Sequence, residues 1–146
     1  MTLGGRRCGV PAGEVAHVAR AVALTELPGA PAIAEGVVDF HGEIVPVLDL
    51  RGRFGDARGP VRPDEHLVIA SAGARTVAFR ADAVLGVVEL EESELQGPEL
   101  GPGVRWAGGL ARDDQGLVVL QDLVRVLGAQ ETIELDAAIA RLRTTR

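Results

Sequence analysis

The chain has 146 residues and a formal charge of −6, with 21 acidic residues against 15 basic ones, all of them Arg. No basic cluster rises above that acidic background, which argues against nucleic acid as a partner. A single cysteine, Cys8, excludes an internal disulfide, and three scattered histidines give no metal-ligand spacing, so no metal and no cofactor are expected.

No apolar run approaches bilayer-spanning length and no apolar stretch follows Arg6 and Arg7, so the expectation is a cytoplasmic protein without a signal peptide or direct membrane insertion. A fold of this size buries about two-thirds of its unfolded surface. Tyr is absent and Phe40, Phe54, Phe79 and Trp106 are the only aromatics, so Val, Leu, Ile and Ala must fill the core. Valine-rich runs broken by Gly and Pro favour short strands and an all-β fold. In chain order the predicted strands are Arg7 to Val10, Val22 to Leu27, Gly36 to Phe40, Glu43 to Leu48 and His66 to Ser71. They continue with Thr76 to Arg80, Val84 to Leu90, Val104 to Ala111 and Gly116 to Gln121. The segments 55–65 and 92–103, rich in Gly, Pro and acidic residues, read as loops.

The chain also repeats itself. "IVPVLDL" at 44–50 recurs as "LVVLQDL" at 117–123, Gly36-Val37 as Gly109-Leu110, and Phe54-Gly55 as Leu127-Gly128, all at an offset of 73 residues. Two related β-units follow, one at about 7–60 and one at about 66–128. Each contains a strand, a turn, a second apolar strand and an aspartate placed to accept N–H groups of the next helical turn: Asp49 before "LRGRF" and Asp122 before "LVRVL". The tail at 129–146 carries Ile133, Leu135, Ala138, Ile139 and Leu142 near helical spacing, with arginines towards its end. It reads as an amphipathic helix packed on its own domain, docking on a partner being the weaker alternative.

A catalytic reading would join Asp39, His41 and Asp49 as an acid/base set. An extended strand advances about 3.3 Å per residue, which leaves His41 and Asp49 on the order of 25 Å apart. No phosphate loop, nucleophile elbow or zinc-helix motif is present, and the chain is read as not an enzyme. Cys8 is expected to be a buried small hydrophobe, His66 solvated, and Trp106 a core anchor of its strand.

"LPGAPAIAEGVVDFHGEIVPVLDLRGRFG" at 27–55 resembles the signature stretch of CheW-like coupling proteins of bacterial chemosensory arrays. "RCGVPAGEVAHVAR" at 7–20 is similar to their opening strand and short helix. "RADAVLGVVEL" at 80–90 is similar to their central segment, and "GLVVLQDLVRVL" at 116–127 to their closing strand and helix. The resemblance implies one CheW-like domain over 1–128, made of two SH3-like five-stranded barrels. It implies an adaptor that bridges the cytoplasmic tips of methyl-accepting chemoreceptors and the regulatory domain of a CheA-type histidine kinase. Val15 and Val18, with Val84 and Val87 opposite, would line the apolar groove for the receptor tip. A diverged module serving a non-motility pathway, or competing within arrays, is the alternative.

Three departures from the family pattern bear on this expectation. An imidazole, His41, stands where the family carries Arg, in Asp39-Phe40-His41-Gly42, and His17 stands where Glu is frequent. His17, Asp39 and His41 are therefore candidate kinase or receptor contacts with altered charge. Third, only Met1 to Leu3 remain of the usual first strand, which is expected to leave a barrel edge unpaired.

Overall fold

β-branched residues stiffen the chain into extended segments, and their pairing decides the architecture. The computed structural model describes residues 1–3, 6–54, 59–84, 86, 107–113, 116–121 and 123–144. The strands are β1 (Thr2–Leu3), β2 (Arg6–Gly9), β3 (Val15–Arg20), β4 (Ala34–Phe40), β5 (Glu43–Leu48), β6 (His66–Ala72), β7 (Arg75–Ala81), β8 (Ala107–Asp113) and β9 (Gly116–Gln121). Two helices follow, α1 (Leu123–Val126) and α2 (Ala129–Thr144). One sheet has the order β3-β6-β7-β5-β4 and the other β1-β2-β9-β8. The protein is thus mostly β, with two sheets and a C-terminal helix. Among the described residues neither sheet closes into the barrel expected for it, because no ladder joins β3 to β4 or β1 to β8.

The internal repeat is visible down to its irregularities. The β4–β5 hairpin has a register shift between Ala34 and Gly36, and β8–β9 has one between Ala107 and Gly109, 73 residues on. In each hairpin the second strand then runs parallel to a strand from elsewhere: β5 to β7 through Val47 and Ala78, and β9 to β2 through Leu120 and Gly9. The order β1-β2-β9-β8 therefore repeats β6-β7-β5-β4 pair for pair. Sheet membership does not follow the expected units at 7–60 and 66–128. The N-terminal hairpin β1–β2 completes the sheet of the second repeat, and β6–β7 completes that of the first.

Several boundaries differ from those predicted. Val22 to Leu27 is not a strand: only Thr25 bridges to Val37, and Val22 is 54% exposed. The turn that closes with the Ala30 N–H on the Leu27 carbonyl, with Pro28 lacking an N–H within it, ends the extended run after Thr25. The short helix expected before residue 20 is a single 3-10 turn, Ala12–Glu14, after which Val15 enters β3. The remnant first strand does not leave an open edge. Thr2 pairs with Arg7 on one side and bridges Ala83 on the other, with hydrogen bonds of 2.9 Å from Thr2 N to Ala83 O and from Asp82 N to Thr2 O. Of the predicted strand Val84 to Leu90 only Val84 and Gly86 are described, and the predicted 92–103 loop, Trp106 and Asp122 lie outside the described residues.

The two sheets share a core. Leu3 and Cys8 from one meet Leu48, Val68, Ala70, Val77 and Phe79 from the other, sealed by Leu123 and Val126 of α1. A second apolar cluster, Val38, Val45, Val47, Leu67, Ile69 and Ala78, fills the opposite face of the five-stranded sheet. That sheet is buried on both sides, which is why β5 lacks polar alternation.

The tail packs on its own chain, as expected: Leu135, Ala138 and Ile139 of α2 bury against Leu27 and Val37. Ile133 does not join them and is 64% exposed, since nine residues at 100° each set it half a turn away from Leu142. The helix starts with the Glu131 carboxylate accepting the Gly128 N–H at 2.9 Å, and an Arg75–Asp136 ion pair ties it to the β6–β7 hairpin.

Asp49 Oδ1 accepts the Gly52 N–H at 3.0 Å where the chain enters a 3-10 turn over Arg51–Phe54. Replacing Asp49 with Ala should cost about 1 kcal/mol in urea unfolding, with partner binding retained by the folded variant. Loss of binding without loss of stability would assign Asp49 a direct contact instead.

Candidate functional site

Valines fifteen and eighteen are three apart, a spacing that sends side chains to opposite faces of a regular strand. A register shift between Val15 and His17 changes this. Val15 pairs with Ala70 and Val18 with Val68, both partners belonging to the core between the sheets, so Val15 and Val18 lie on that face. Val15 is half-buried against this core, and so is Val84 arriving from the other sheet's side. Val18, at 39% exposure, remains open to solvent. Val87, the fourth expected member, lies outside the described residues.

The same bulge turns His17 the other way, opposite Ile69 of the second cluster. There it meets Phe40, ring centroid to ring centroid at 5.6 Å, and Phe40 meets His41 at 4.2 Å. His17 lies on β3 and Phe40 on β4, the two outer strands of the sheet. The sheet therefore curls until its edges touch through rings rather than through a ladder. His41 and Gly42 are the two central residues of the β4–β5 turn and both have positive φ, 53° and 83°. Two residues of that conformation match the twist of the flanking strands. Asp39, expected as a contact residue, is used in this turn, its Oδ1 accepting the Gly42 N–H at 2.8 Å.

Asp39 and His41 sit at one end of β5 and Asp49 at the other, each aspartate bonded to a glycine N–H, so the three form no acid/base set. Cys8 is 2% exposed, and burial pushes its thiol up to about 11, which keeps it protonated and unreactive at neutral pH. His66, expected to be solvated, is half-buried within β6, and its Nδ1 is a buried atom without a hydrogen-bond partner.

A buried ionic network was not expected from the sequence. Arg80 of β7, 3% exposed, shares the face of Leu67 and Ala78 and so points into the second apolar cluster. Its Nε donates to Glu35 Oε2 at 3.0 Å and its Nη2 pairs with the other oxygen of Glu35 and with the Gly59 carbonyl. Its Nη1 reaches Glu65 Oε1 at 3.1 Å. Arg51 joins the other Glu65 oxygen to Asp82, both at 3.1 Å. Glu35 reaches inward because it occupies the bulge of β4; the repeat has Gly108 at that position. The available signal was an arginine inside the apolar run "TVAFRA", where a solvated charge would be out of place.

No helix among the described residues is long and apolar enough to cross a membrane, and the described His, Cys, Asp and Glu residues form no metal-binding group. Residues 1–131 match the model of a protein family described as the CheW-like domain. Over 144 residues the chain is 31% identical to the protein FrzA of Myxococcus xanthus, covering 99% of this chain and 83% of that one. It is 26% identical to the chemotaxis protein CheW of Klebsiella aerogenes over 140 residues, 92% of this chain and 83% of the relative. The crystal structure of the scaffolding protein TtCheW from Thermoanaerobacter tengcongensis superposes with a TM-score of 0.74 at 24% identity, over 82% of this chain and 84% of that one.

Proposed function

Because this chain belongs to the CheW-like family of adaptors in chemotaxis signalling, we propose that it couples chemoreceptors to the regulatory domain of a CheA-type histidine kinase in the cytoplasm. It does so as a binding surface, without catalysis. The observation that supports this role is the bulge in β3, which turns Val15 and the exposed Val18 to one face of the sheet, while Val15 and Val84 pack against the same core cluster. Small β-branched side chains on a rigid sheet make a preformed apolar trough for an amphipathic helix, here the receptor tip. Val87 is taken as its fourth member, and His17, Asp39 and His41 as contacts to the kinase or receptor.

On this reading residues 1–128 make up one domain whose two sheets are the two SH3-like barrels. Support comes from the shared order of the sheets and from the ring contact that draws β3 to β4. The test is titration calorimetry of the full chain against the regulatory domain of each CheA-type kinase encoded in the same genome, and against a receptor-tip helical hairpin. Micromolar one-to-one binding to one kinase is the expected outcome. Val18→Glu should remove binding to the receptor hairpin while unfolding as the parent does. A folded, monomeric sample that binds none of these partners would reject the coupling role.

A further inference from the structure

The side of α2 turned away from its own core carries Ala129, Ile133, Ala137 and Ala140, all exposed and recurring every three or four residues in one stripe. Ile133, at 64%, is the most exposed large hydrophobic side chain among the described residues. We propose that this stripe is a self-recognition face, on which α2 of a second copy of the chain packs antiparallel about a two-fold axis. This contact is independent of the coupling role proposed above.

The stripe holds both halves of the contact. Ile133 projects from it. Ala140, seven residues on and about 10 Å along the helix, borders an open groove of about 420 Å³ lined also by Ile44, Pro46 and Ile139. An axis passing between Asp136 and Ala137 sets Ile133 of each copy over Ala140 of the other, at the mouth of its groove, so that one projecting side chain meets the same recess twice. Ala137, beside the axis, has only a methyl group and lets the two helices approach closely. The far wall of the groove is Ala74 and Arg75 of the β6–β7 hairpin. Val124, 61% exposed, lies against Gly73 of the same hairpin and continues the apolar surface beyond α2.

Charge selects the antiparallel arrangement. The first half of α2 presents the hydrogen-bonded pair Gln130 and Glu134, and the second half the exposed Arg141. Antiparallel helices bring Arg141 of each copy towards Glu134 of the other, whereas parallel helices set like charges together. Asp136 is the charge nearest the axis, where it meets its own copy, and its ion pair with Arg75 offsets the repulsion. The face is one helix of 16 residues, about 24 Å long. That is smaller than the interface of a permanent dimer, so the pair is weak and depends on concentration.

The experiment is sedimentation equilibrium of the full chain from about 10 µM to about 1 mM, the range of a small interface. The parent should pass from monomer to dimer within it. Ile133→Glu should unfold in urea as the parent does and associate about tenfold more weakly, while Val18→Glu, outside the stripe, should associate like the parent. Mild oxidation then locates the axis. Ala137→Cys should form a disulfide-linked dimer, because its two copies flank the axis, and Ala129→Cys should not, because its two copies lie roughly 20 Å apart. Cys8 is buried and takes no part. A parent that stays monomeric throughout, an Ile133→Glu variant that associates as the parent does, or cross-linking through Ala129→Cys in preference to Ala137→Cys would each overturn the antiparallel pair.

Discussion

Arg80→Ala is expected to destabilise the fold by about 3–5 kcal/mol, read as a drop in the urea midpoint at unchanged slope. The cost arises because the carboxylates of Glu35 and Glu65, 4% and 1% exposed, stay buried once their shared guanidinium is gone. Arg80→Lys should recover only part of the loss, since an ammonium cannot reproduce the forked contact to both carboxylates. A change below about 1 kcal/mol, the scale of a surface pair, would mean that the network does not hold the end of that core.

The same network sets a sign for acid sensitivity. Burial alone would raise the Glu65 carboxyl. The Arg62 N–H and the guanidiniums of Arg80 and Arg51 outweigh it and hold the group below its ordinary value of 4.5. A carboxyl depressed in the folded state contributes stability that is present above the unfolded value and lost as pH falls through the folded one. Stability should therefore decline below the ordinary carboxylate range, and Glu65→Gln should flatten that part of the profile.

The second large effect follows from the exchange of hairpins between sheets. If the chain is divided at the exposed Pro60, fragment 1–60 holds β1–β2 without β9 and β3–β5 without β6–β7. Fragment 61–146 holds the complementary strands. Each fragment alone should lack dispersed amide resonances in a two-dimensional NMR spectrum. An equimolar mixture should regain the spectrum of the intact chain. A native-like spectrum from fragment 1–60 by itself would show that the two repeats fold as consecutive units.

Most of the strands were legible because each is a valine-rich run bounded by turn residues, and β5, β6, β7 and β9 fall within a residue or two of their predicted limits. The repeat was legible too, since equivalent bulges need equivalent sequence. What pattern alone did not reveal was which hairpin joins which sheet: alternation specifies a face, and says nothing about a partner strand more than a hundred residues away, such as β9 for β2. The site was half legible. His17 and His41 stood out as departures in charge, but their meeting at Phe40 depends on the curl of the sheet, a tertiary property. Arg80 was passed over for a similar reason. A charge inside an apolar run becomes intelligible only when Glu35 and Glu65 are found opposite it.

The parallel pairing of β2 with β9 also sets a timetable for synthesis. Thr2 to Gly9 are synthesised ahead of the other described strands and must wait for Gly116 to Gln121, the last of them. Until then Leu3 and Cys8 have no complete sheet to enter, and β6–β7 can already close on β3–β5. Contacts of such long sequence separation form late and slowly. Between the synthesis of Ala81 and that of Gln121 the nascent chain thus carries every strand of the first sheet and an unsatisfied N-terminal hairpin. During that interval its protection from other chains depends on chaperones or on the ribosome surface, rather than on its own fold.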